Sequence, residues 1–172
     1  RELVSVELEK RANGQRRLDI YLVFRNGVVG IENKPWAGDQ KDQLSDYADF
    51  LKASAAGRNW LLVYVCNDDP AEHSIKPDAL QVLTASGNYC RFDFYQLTDW
   101  LESCGRFSRA PKVRLVVDEL ASYVRKEVNG EMEMTEVEEL KGLILDKNEY
   151  IESAFQVAAS IGQLKEQLLG EL

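Results

Sequence analysis

The chain is expected to fold as an α/β domain around a mixed β-sheet, and three features of its sequence point there. Residues 18–34 read as a tight hairpin closed by Asn26-Gly27. Residues 39–54 then switch to helical periodicity, with Leu44, Tyr47, Ala48 and Leu51 on one face. After them the apolar run Trp60 to Val65 has the composition of a strand buried on both faces.

Taken in order, residues 3–9 alternate as a half-buried strand, with Val4, Val6 and Leu8 as the expected core face and Ser5, Glu7 and Glu9 opposite. Asn13-Gly14 is a turn signal. Residues 18–24 form a second strand and Val28 to Lys34 a third, which Pro35 ends. Between those two, Asn26-Gly27 suits a type I′ turn, whose two central residues both need positive φ. Gly57 closes the helix that follows, Asn67 to Pro77 is a polar loop, Tyr89 to Tyr95 a further strand and Gln96 to Cys104 a helix. Pro111 opens a helix of about fifteen residues that ends near Gly130, and the chain from Thr135 onward has mainly helical character.

Composition bounds the function classes. The sequence of 172 residues, 45% hydrophobic and 29% charged, fits one globular body with a small appendage. No apolar run approaches the roughly 20 residues of a membrane span, so no membrane partner is expected. The first residues carry neither an initiator Met nor a signal peptide, and a preceding structural element is expected to be missing. Three cysteines, Cys66, Cys90 and Cys104, form no C-x-x-C pair and read as core-filling thiols of a reduced, cytoplasmic protein. A single histidine, His73, argues against a His-based zinc site or a Ser-His-Asp triad. The net charge of −8 is unevenly spread: residues 131–172 hold ten acids and three bases, whereas residues 1–130 hold nineteen acids and eighteen bases. The expected division is therefore a body over 1–130 and an acidic helical extension over 131–172. A near-neutral body is compatible with a nucleic-acid groove and does not require one.

Three charges of the hairpin converge. With Asn26 and Gly27 as the loop, paired positions place Asp19 across from Lys34 and Tyr21 across from Glu32. Alternation puts all four on one face, and leaves Leu18, Ile20, Leu22, Phe24, Val29 and Ile31 as the apolar layer on the other. Two carboxylates can hold a hard divalent cation, which polarises a phosphate and lowers the pKa of a bound water. An ammonium beside them can orient that water and offset transition-state charge. The bland alternative is a cross-strand ion pair between Asp19 and Lys34, worth roughly 0.2–1 kcal/mol, with Glu32 on a polar surface.

The segment Gly30 to Tyr47 carries more than a hairpin: an I-E-N-K strand followed by A-x-D-Q-x-x-Q-L-x-x-Y. It resembles the PD-(D/E)XK nuclease superfamily, in particular a bacterial branch with that strand and a RecB-like Q-x-x-x-Y helix. The resemblance covers about residues 16–51 and implies a restriction-endonuclease-like core with further C-terminal helices. It implies that Asp19, Glu32 and the backbone carbonyl of Asn33 ligate Mg²⁺ or Mn²⁺, that Lys34 positions the attacking water, and that Gln43 supports the site. Gln40, Gln43 and Tyr47 share a helical face, and Tyr47 reads equally as core. Two departures stand out: Leu18 replaces the proline before the aspartate, and no acidic helix precedes residue 3, so Glu7 or Glu9 could replace its acid or be solvated edge charges. Arg16, Arg17 and Arg25 are candidate phosphate contacts. Trp36 could stack a base, although packing is the simpler expectation. In the extension, Ile151, Phe155, Ala158 and Leu168 recur at helical spacing and could pack on the body or form a homodimer. The expected function is a metal-dependent nuclease acting on DNA, with RNA left open as an alternative to DNA. Its rival is a nuclease-like module that has lost cleavage and binds nucleic acid or protein.

Overall fold

A computed structural model describes residues 2–12 and 16–131 together with Val137 and Lys141. The Asn13-Gly14 turn, the helical residues Ile151, Phe155, Ala158 and Leu168, and the dimer expected through them lie outside the described residues. The chain divides into two compact units, Arg1–Gly130 and Glu131–Leu172.

The first unit is a five-stranded mixed sheet in the order β1-β2-β3-β4-β5 with helices on both faces. β1 (Leu3–Arg11), β2 (Arg17–Phe24) and β3 (Gly27–Asn33) form an antiparallel meander. β3, β4 (Asn59–Val65) and β5 (Tyr89–Phe92) are parallel, so each of the two successive pairs needs a crossover. These are α1 (Gln43–Ala55) and α2 (Pro77–Ala85). The sequence reading passed over α2, although Pro77 at its first turn was a start signal. α3 (Phe94–Phe107) opens with a capping box between Asp93 and Gln96, and α4 (Pro111–Tyr123) runs into a π-helical turn at Val124–Val128.

The hairpin register differs from the expected one by two residues. Phe24 pairs with Gly27 and Ile20 with Ile31, so the loop is Arg25-Asn26. Among the described residues, positive φ at a non-glycine occurs only at Glu9, Asp42 and Ala56, so the expected type I′ turn is absent. The reason is on the other side of β3. Gly27 pairs with Asn59 of β4, and a Cβ there would collide with the Asn59 carbonyl. The glycine serves strand contact rather than the turn. A shift of two preserves the faces and changes only the partners: Tyr21 now meets Gly30.

The core lies on the face expected to be polar. α1 packs Leu44, Tyr47, Ala48 and Leu51 onto Leu18, Tyr21, Val28 and Leu62. Gly30 permits this approach, since a Cβ would come 2.5 Å from Leu18 and 2.9 Å from Leu51. Glu9, with φ 51°, interrupts the alternation of β1. Its neighbour Lys10 therefore reaches over the Tyr21 ring, 5.4 Å from its centroid, and Lys10's partner Leu18, expected in the apolar layer of the opposite face, joins the α1 core instead. On the opposite face Ile31, Val63, Val65 and Phe92 pack with Phe94, Leu101, Ala121 and Val124. That cover does not extend to β1: Val4, Val6 and Leu8, the expected core face, are exposed. The cysteines also depart from expectation, because Cys90 is exposed and Cys66 and Cys104 are only half-buried, all three free.

Candidate active site

The site sits where β3 ends, beside the parallel strand β4 and under the first turn of α1. Ligands of parallel sheets gather at such carboxyl ends, because the chain turns away there and leaves a crevice. Glu32 is the penultimate residue of β3, and Lys34 follows the strand with its N–H bound to the Val65 carbonyl at 2.8 Å. That bond extends the β3–β4 ladder by one residue and fixes where the lysine leaves it.

Glu32, Lys34 and Gln43 are 4%, 8% and 4% exposed, values ordinary for leucine and rare for charged side chains. Lys34 Nζ lies 3.1 Å from Glu32 Oε1. Gln43 Nε2 donates to the same oxygen at 2.9 Å and to the Tyr47 hydroxyl at 3.2 Å. Tyr47 donates in turn to the Arg17 carbonyl at 2.5 Å, tying α1 to the start of β2. Asp19 reaches the same corner, where its Oδ2 accepts the Asn33 N–H at 2.7 Å. The structure thus brings Asp19, Glu32, Asn33, Lys34, Gln43 and Tyr47 together.

Electrostatics follow from this burial. Desolvation, then the nearby Asp19 charge, pushes the Glu32 carboxyl up to about 7, against the opposing pull of Lys34. Burial likewise pushes the Tyr47 hydroxyl up to about 12, with the charges of Glu32 and Asp19 adding to it. Glu32 Oε2 is buried and has no hydrogen-bond partner among the described residues. A buried carboxylate oxygen left bare costs free energy, and a cation ligand is one way to satisfy it. Two carboxylates and a backbone carbonyl offer the oxygen donors that Mg²⁺ or Mn²⁺ prefers. No cluster of three or more His, Cys, Asp or Glu occurs among the described residues, so the remaining positions would fall to water and phosphate.

The other candidates lie elsewhere or are occupied. Glu7 pairs with Lys10 at 2.7 Å, and Glu9 is exposed. The Arg16 guanidinium is committed to Asp46 at 2.5 Å and to the Lys41 carbonyl, so it fastens the entry to α1 rather than facing outward. Arg17 is exposed and Arg25 pairs with Glu2 at 2.9 Å. Trp36, expected to pack, is 68% exposed just beyond Lys34.

Sequence reasoning missed the groups that hold the loop before α1. Ser74, fully buried, accepts the Leu44 N–H at its hydroxyl and the Ser45 N–H at its carbonyl. It caps α1 from 30 residues away in sequence, in place of Asp42, which stands at the N-cap with no capping bond. A cap supplied by a distant loop leaves no local signal. Asp39 was visible within the A-x-D-Q pattern, but its partners were not.

A mixed sheet that gathers two carboxylates, a lysine and a helix-borne glutamine at a strand end fits the nuclease class. The family model described as the PD-(D/E)XK nuclease superfamily matches residues 2–122, and the chain belongs to that superfamily. No curated protein and no solved structure matches it. Among the described residues, no helix is long and apolar enough to cross a membrane.

Proposed function

We propose that this protein is a divalent-cation-dependent nuclease that hydrolyses phosphodiester bonds of DNA. One observation carries the reading: a buried glutamate with a bare Oε2, next to Asp19, with an ammonium 3.1 Å from its other oxygen. A surface ion pair would give Glu32 no reason to be buried and half-satisfied.

Asp19, Glu32 and the Asn33 carbonyl would hold Mg²⁺ or Mn²⁺, which when bound supplies Lewis acidity and a more acidic water. Gln43 holds Glu32 Oε1 by its amide N–H and so leaves Oε2 as the donor oxygen. Lys34 sets its Nζ beside the carboxylates, where it orients the attacking water and offsets charge building on the phosphate. Tyr47 keeps Gln43 from turning away. Three free thiols fit a reducing, cytoplasmic compartment.

The test is cleavage of supercoiled, linear and single-stranded DNA, with RNA in parallel, in Mg²⁺ or Mn²⁺. Wild type should cut only with the cation, and Lys34→Ala should lose about 10²–10³-fold or more in rate, the scale of one lost transition-state stabiliser. Cutting that survives the substitution would assign the activity to something else. DNA binding with neither cleavage nor cation binding by calorimetry would favour the binding-module reading.

A further inference from the structure

The loop between Lys34 and α1 makes two contacts with the site. The Gly38 carbonyl accepts from Lys34 Nζ at 3.5 Å. The Gln40 N–H donates to Gln43 Oε1 at 3.1 Å. The second contact decides more. A glutamine amide has two ends of similar shape and opposite role. With Oε1 engaged by the loop, Nε2 is the end that meets Glu32 and Tyr47. Reversed, the amide would set its oxygen against the Glu32 oxygen and its NH₂ against a backbone N–H.

Asp39 holds this loop in place. Its Oδ1 accepts from the Tyr64 hydroxyl of β4 at 3.1 Å, and its Oδ2 accepts the Ala71 N–H at 2.9 Å. Its carbonyl oxygen lies 2.9 Å from His73 Nε2, and the Asp42 N–H donates to the His73 carbonyl at 2.7 Å. Residues 39–42 are thereby clasped to β4 on one side and to residues 71–73 on the other. Gly38, Gln40 and Asp42 are exposed, so burial of their own side chains does not anchor them.

We propose that Asp39 is a positioning residue for cleavage: by clasping the loop to Tyr64 and Ala71 it fixes which way the Gln43 amide points and where Lys34 is held. The inference rests on the nuclease reading of the site. A loop free of the clasp would let the amide turn over and would loosen both groups that grip Glu32 Oε1.

The test compares wild type with Asp39→Ala, Asp39→Asn and Tyr64→Phe by two readouts. One is kcat and KM for DNA cleavage in Mg²⁺. The other is the side-chain amide NMR signal of Gln43 in the metal-free protein, with its hydrogen-exchange rate. Asp39→Ala should lower kcat about 10–100-fold, the range for residues that orient a ligand from behind. KM should stay within about threefold, as expected when a reacting group rather than substrate binding is disturbed. Its Gln43 amide protons should exchange faster and shift toward free glutamine. Asp39→Asn, which keeps an acceptor, should recover much of the rate, and Tyr64→Phe should show a smaller loss of the same kind. Should Asp39→Ala fail to fold, the other two variants carry the same comparison. An unmoved Gln43 signal with wild-type kcat overturns the proposal. So does a loss that follows thermal stability alone, equal for Ala and Asn. If wild type does not cut DNA, the nuclease reading fails, and the amide signal still decides whether Asp39 orients Gln43.

Discussion

The two faces of the β1–β3 meander allot burial in opposite ways. On the α1 face, Glu32, Lys34 and Gln43 are packed nearly as tightly as the leucines around them. On the other face of β1, Val4, Val6 and Leu8 are 61%, 53% and 70% exposed. Residue type predicts the reverse. What decides is which face a helix covers. α1 is bound to the sheet through Gly30 and Tyr47 and capped by Ser74 of the loop before α2, whereas the helical cover of the second face reaches Ile31 and not β1. Scattered exposed apolar residues are common. Buried charges are costly, and their presence marks the face where chemistry is to be sought.

The packed face is the more sensitive of the two. Leu51→Ala would remove a fully buried side chain from between α1 and Gly30 and should destabilise the protein by about 2–5 kcal/mol, read by urea or thermal unfolding. A change below about 1 kcal/mol would mean that α1 is loosely held and that the burial of Glu32 is weakly enforced.

The charged residue on that face gives the next effect. Because the folded Glu32 carboxyl titrates at about 7 against an ordinary 4.5, the folded protein binds more protons than the unfolded chain between those values. Metal-free stability should therefore fall as pH rises through that window, by up to about 1.4 kcal/mol per pH unit. Glu32→Gln should flatten the slope, and saturating Mg²⁺ should abolish it in wild type, since the cation holds the folded carboxylate in its charged form throughout that window. A slope unaffected by Glu32→Gln would show that this carboxylate is solvated.

The smallest effect belongs to the open face. Val6→Ser should change stability by about 0.5 kcal/mol or less, as exposed positions do. A loss comparable to that at Leu51 would show that something covers β1 in solution.

Much of this was legible in the sequence. Period-two alternation set Glu32 and Lys34 on one side of the third strand, and helical spacing set Gln43 and Tyr47 on one face of α1. Local geometry sets those shared faces, whereas the docking that brings Gln43 onto Glu32 is tertiary. The hairpin register departs from its local signal because Asn26-Gly27 sets a turn only when nothing else demands the glycine, and here strand β4 does. The shift of two residues spared the site, since it moved partners without exchanging faces.

The sequence alone determined the first four strands, α1 and which charges share a strand face, because those follow from steric periods of the backbone; α2 lay outside that reading, and β5 ends at Phe92 with α3 opening at Phe94, earlier than the pattern over 89–104 suggested. Only the tertiary structure decided which face is buried, how the Asp39 clasp and the Ser74 cap close on α1, and that Arg16 is bound rather than free. Each of these depends on contacts between segments distant in sequence, and no local pattern encodes a partner that arrives from elsewhere in the chain.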